Sequence, residues 1–136
     1  MLYGDVINKL YLESNDTNDE SFSYILKGLT DQYNFKSMTY KKNKLDIKSV
    51  ECILKLISRH VPQNLDELRI VNCAISTKAM TLLLDNLPGT NLRKLSLVKV
   101  GIKGALFDNV LKLIHGSRNV IELDISWNRI SSVELR

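Results

Sequence analysis

Val120 to Ile130 reads VIELDISWNRI, with apolar residues at its first, fourth, sixth and eleventh places and Asn128 at its ninth. A helical face would repeat every three to four residues and a half-buried strand would alternate, so neither template fits. The same spacing recurs along the chain. Leu92, Leu95, Leu97 and Ile102 carry it in LRKLSLVKVGI, and Leu65, Leu68, Ile70, Cys73 and Ile75 in LDELRIVNCAI. Looser copies run through Phe35, Met38, Tyr40, Asn43 and Leu45, and through Ile7, Leu10, Leu12, Asn15 and Thr17. The copies start near 7, 35, 65, 92 and 120, at steps of 28, 30, 27 and 28 residues. Five copies in one frame make internal repetition the governing constraint on the fold.

A second pattern follows each of the first four copies. SFSYILKGL, SVECILKLISRH, TKAMTLLLDNL and GALFDNVLKLIHG place apolar residues at three- and four-residue steps, which predicts helices. Ser76 is a suitable N-cap for the third helix, and Pro88–Gly89 ends it. Each unit therefore reads as a short strand, a turn and a helix.

In these residues the chain resembles a leucine-rich-repeat protein. Units of 27–30 residues with a full helix are most similar to the ribonuclease-inhibitor-like class, whose pattern allows Asn or Cys at the ninth place. The resemblance covers essentially the whole chain and implies an α/β solenoid of about five repeats, one domain spanning residues 1–136. The physics agrees. Leucines at places one, four and six cannot bury themselves within one unit, but stacked units give them a continuous core. Parallel strands stand about 4.8 Å apart and helices about 8–10 Å apart, so the stack bends into a horseshoe arc with strands on the concave face and helices on the convex one. Five strands would span about 19 Å.

The ninth place has a turn role. Asn15, Asn43, Cys73 and Asn128 hold it, and each can bond backbone groups exposed where the strand ends. The fourth unit has Val100 there, which predicts a looser turn or one satisfied by water, with Gly101 supplying backbone freedom. The first repeat begins almost at once and the fifth stops at Arg136, so the sequence reads as a fragment of a longer array. The competing reading is a small subunit whose ends a partner caps or which associates end to end.

The concave strand surface is the usual binding face in this family. The frame puts Tyr11, Thr39, Arg69, Ser96 and Asp124 in one row there, beside the row Lys9, Ser37, Glu67, Lys94 and Glu122. Both rows sum to zero charge, as does the row Glu13, Lys41, Val71, Val98 and Ser126, while the row Ser14, Lys42, Asn72, Lys99 and Trp127 sums to plus two; this mixed face suits a protein partner better than a polyanion. Trp127 is expected to be partly exposed at the concave rim, either as an interface anchor or packed on a following repeat. Arg69 reads as a second anchor or as the partner of Glu67 or a neighbouring acid.

Other chemistry finds little support. The net charge is +4, and only KKNK at Lys41–Lys44 is locally dense, which argues against nucleic acid. Cys52 and Cys73 lack zinc-ligand spacing; Cys52 falls on a helical stripe and Cys73 on a turn. His60 and His115 lie near helix C-termini in different repeats, with no reason to converge on a nucleophile. No metal, cofactor or catalytic set is expected. No apolar run approaches the ~18 residues a spanning helix needs, and the start lacks a secretory signal, so the expected location is cytoplasmic. The reading that follows is a non-enzymatic scaffold for protein binding. The resemblance also admits a GTPase-activating protein of the Ran type, although the acidic tail of that family is absent. It admits as well a structural subunit of a ciliary, cytoskeletal or ubiquitin-ligase assembly.

Overall fold

A computed structural model of the protein describes residues 8–13, 18–29, 35–57 and 65–128. Strands β1 (Lys9–Glu13), β2 (Ser37–Lys41), β4 (Glu67–Val71), β6 (Lys94–Val98) and β7 (Glu122–Asp124) form one sheet in that spatial order. Every pairing is parallel. The short strands β3 (Lys44–Leu45) and β5 (Ala74–Ile75) pair separately, also in parallel. Helices α1 (Asp19–Leu29), α2 (Ile47–Leu56), α3 (Thr77–Asn86) and α4 (Leu106–Gly116) alternate with the main strands, and consecutive helices pack on one another. The protein is thus an α/β chain in which neighbours in sequence are neighbours in space.

The register joins like places of the eleven-residue frame. Leu10, Met38, Leu68, Leu95 and Leu123 align at the fourth place, and Leu12, Tyr40, Ile70 and Leu97 at the sixth. In the three inner strands these side chains are buried in one core with Phe22, Leu26, Ile53, Met80, Leu83 and Val110 from the helices. The parallel register follows from this burial, because a one-residue slip would turn every apolar side chain to the other face. Tyr40 stacks on Phe22 with ring centroids 3.8 Å apart and planes at 3°, joining β2 to α1. Its hydroxyl donates to the carbonyl of Lys44 at 2.7 Å.

The ninth-place residues bind the backbone of two units at once. Asn43 Nδ2 donates to Lys41 O of its own unit at 2.9 Å and to Leu12 O of the unit before at 3.4 Å. The Cys73 thiol points at the equivalent carbonyls, Val71 O at 3.4 Å and Tyr40 O at 3.3 Å. Burial pushes that thiol's pKa up, which favours the protonated donor. Asn128 Nδ2 donates to Leu97 O and Ile125 O, both at 2.8 Å. Asn15 lies outside the described residues.

The fourth unit departs from the expectation of a loose or hydrated turn. Asn128 Oδ1 accepts from Val100 N and Ile102 N, each at 3.1 Å. The next unit's amide therefore supplies what Val100 lacks, because an amide has an acceptor as well as donors and both ends reach the same turn. Gly101, at φ +86°, takes the left-handed conformation that this turn requires. Asn128→Ala is expected to cost about 2 kcal/mol, since it strips partners from several partly buried backbone groups. The loss should appear as a lower urea midpoint, and one no larger than that of an exposed control such as Lys112→Ala would refute the assignment.

The helix starts are linked across units. Ser76 caps α3, with its Oγ accepting from Ala79 N at 3.2 Å, and its hydroxyl donates to Asp46 Oδ1 at 2.6 Å. Asp46 caps α2 through Ile47 N. Asp19 of α1 reaches the same end of α2: its carboxylate accepts from Asp46 N and Ser49 N at 2.9 Å and from Lys48 N at 3.2 Å. Burial pushes the Asp19 carboxyl up, but these hydrogen bonds, with those from Ser49 foremost, outweigh it and hold the pKa below the usual value. A depressed pKa means that the stabilisation is present above the unfolded-state value, about 3.9, and is lost as the pH falls through the folded one. The difference in melting temperature between the wild type and Asp19→Asn should therefore be largest near pH 7 and shrink as the pH is lowered past about 4. A pH-independent difference would show that the charge is immaterial.

Candidate functional site

The sheet face opposite the helices is exposed, and the third, fifth and seventh places of the frame project onto it. Parallel pairing puts Tyr11, Thr39, Arg69, Ser96 and Asp124 in one continuous row across all five strands. The third-place row Lys9, Ser37, Glu67, Lys94 and Glu122 runs beside it. The residues singled out from the sequence are thus brought together although they span more than a hundred positions.

They differ in how much surface they offer. Tyr11 is 59% exposed, Arg69 and Asp124 are exposed and Ser96 is half-buried. Thr39 is only 8% exposed, which corrects its reading as a contact residue. It shares the row but stands between the longer Tyr11 and Arg69. Trp127 is 82% exposed, more than the partial exposure expected. It lies beyond the end of β7, at the border of the face.

Ionic contacts tie most of the face's charges together. Glu13 lies 3.7 Å from Lys41 and 3.8 Å from Lys42, and it accepts the Tyr11 hydroxyl. That hydrogen bond, foremost, holds the Glu13 carboxyl below its usual range. Lys94 lies 3.9 Å from Glu122. Asp124 is turned to its own strand end, where Ser126 donates to Oδ1 through both hydroxyl and backbone N–H and lowers the carboxyl's pKa. Of the two readings of Arg69, the pairing with an acid is not seen: among the described residues Arg69 joins no ion pair with Glu67 or any other acid. Glu13 and Glu122 are paired with lysines, and Asp124, hydrogen-bonded to Ser126, feels the positive charge of Arg69 without pairing with it.

Two grooves flank the face. One of about 370 Å³ lies at the N-terminal ends of the strands, lined by Lys9, Lys36, Asp66, Glu67, Arg93 and Lys94. A larger one of about 790 Å³ lies at the C-terminal ends, lined by Asn18, Lys42, Asn43, Lys44, Asn72 and Cys73. The turns at these strand ends carry a feature absent from the sequence reading. The eighth-place residues Lys42, Asn72, Lys99 and Trp127 all have left-handed backbones, with φ of 54°, 51°, 53° and 62°. Each conformation is unfavourable for a residue with a Cβ. Pairing compensates: the N–H groups of Lys42, Asn72 and Lys99 donate to Val71 O, Val98 O and Ser126 O of the next unit. Only Asn72 hints at this conformation by residue type, since Asn tolerates it better than most.

The remaining candidates are scattered. Cys52 is buried in α2, and His115 lies in the last turn of α4 with its side chain exposed. His60 lies outside the described residues. Among the described residues no group of three or more His, Cys, Asp or Glu is placed to hold a metal ion, and no helix is long and apolar enough to cross a membrane. In comparisons with known proteins, no protein-family model matches the chain and no curated protein is significantly similar to it.

Proposed function

We propose that this chain is a leucine-rich-repeat solenoid of the ribonuclease-inhibitor-like class and a non-enzymatic scaffold that binds a protein partner through its strand face. The observation that carries the reading is the row from Tyr11 to Asp124. It is in register over five strands, mixed in charge, and fitted with an exposed phenol and an exposed guanidinium. Aromatic and Arg side chains are enriched among interface residues whose loss is costly. The near-balance of charge favours a protein surface over a nucleic acid, whose binding rests on many cationic contacts to phosphate. The repeat reading is supported by parallel strands ordered as in the sequence and by like places meeting like places.

An alanine scan of both faces tests the proposal. Truncating Arg69 or Trp127 should weaken partner binding by about 2 kcal/mol, roughly thirty-fold, with melting unchanged. Lys55→Ala and Lys112→Ala, on the exposed sides of α2 and α4, should change it little, since isolated surface charges contribute little each. Losses confined to the helices would move the interface off the strand face.

A further inference from the structure

Arg69 stands at the middle of the exposed sheet face, on the third of its five strands. Its in-register neighbours, Thr39 and Ser96, are both short. The guanidinium extends beyond them into solvent with a planar fork of five N–H donors. Among the described residues it makes no hydrogen bond and joins no ion pair. Three acids of the face have partners of their own: Glu13 has Lys41, Lys42 and Tyr11, Glu122 has Lys94, and Asp124 has Ser126, while Asp124 feels the charge of Arg69 without pairing with it and Glu67 shares the strand without reaching it. A guanidinium at the centre of a face, its N–H donors all unused among the described residues, is suited to an incoming acceptor.

We propose that the partner of this face presents one carboxylate, an Asp or Glu side chain, to Arg69. The inference rests on the strand-face reading above and adds the chemistry of the contact. A carboxylate matches the guanidinium fork with two parallel N–H···O bonds, which a neutral amide cannot accept. A phosphorylated side chain fits less well. Its second negative charge would meet Glu67, Glu122 and Asp124 on the same face, whose rows carry no net positive charge.

The test is a selection of random heptapeptides displayed on phage against the whole chain, run in parallel on Arg69→Gln. Wild-type binders should share an Asp or Glu at one position. Replacing that acid by its amide in a synthetic peptide should weaken binding at least ten-fold by fluorescence polarisation. Arg69→Gln should impose a similar loss on the acidic peptide and be indifferent to the amide replacement. Its melting temperature should equal that of the wild type, because Arg69 makes no hydrogen bond or ion pair among the described residues and Gln keeps most of its length. The inference is overturned by binders with no shared acid, by no enrichment over Arg69→Gln, by acid-dependent binding that Arg69→Gln retains, or by a phosphoserine peptide that outbinds the carboxylate one. Failure of the strand-face reading itself looks different: binding would then be lost in Lys55→Ala or Lys112→Ala and be untouched by Tyr11→Ala and Asp124→Ala.

Discussion

Tyr40→Ala is expected to destabilise the protein by about 3–5 kcal/mol, the range for deleting a buried aromatic side chain. Tyr40 is fully buried, and its ring lies flat on Phe22 of α1, so truncation opens a cavity between β2 and the first helix. Its hydroxyl also satisfies Lys44 O next to the short strand β3. Tyr40→Phe separates the two contributions. It keeps the stacked ring and removes only the hydroxyl, and should cost about 1 kcal/mol. Chemical denaturation of the three proteins checks the order. Equal losses in the two variants would mean that the hydroxyl, not the ring, dominates.

The second large effect belongs to Leu95. Leu95→Ala should cost about 2–5 kcal/mol. The side chain is 1% exposed and lies between Leu68 and Leu123 in the parallel register, so it packs with two neighbouring strands at once. Leu123→Ala is the informative comparison. Leu123 holds the same place on the edge strand β7 but is only partly buried. It has less apolar surface to lose, and its loss should be visibly smaller. Melting curves of both variants decide the matter, and equal losses would show that the edge position is as tightly packed as the interior.

Much of the local structure was legible because it depends on periodicity. Helices α1 to α4 lie where the three- and four-residue apolar steps fall, and Ser76 caps α3 as its position before the helix implied. The alternation of buried Leu68 and Ile70 with exposed Arg69 is a property of any strand with one face on a core. So is the placing of Tyr11, Arg69 and Asp124 on the outward side. A start of α2 at Ile47, two residues before the apolar pattern takes hold, was also readable in principle from Asp46 as an N-cap.

What tertiary structure alone decided are the partnerships between units. Asn128 completes the turn at Val100, Asp19 of one helix binds the start of the next, and Lys42 and Lys99 adopt left-handed backbones whose N–H groups bind the next unit. These depend on groups roughly a full repeat apart in sequence, brought within 3.5 Å only once the strands are in register. The same holds for Thr39, buried by its place between longer side chains, and for Arg69, which joins no ion pair among the described residues although acids share its face. The sequence by itself determined which face each residue occupies, because residue spacing sets side-chain direction within a strand or helix. Which partner each polar group meets on that face was decided by competition among several donors and acceptors within reach, and only the packed structure resolves that competition.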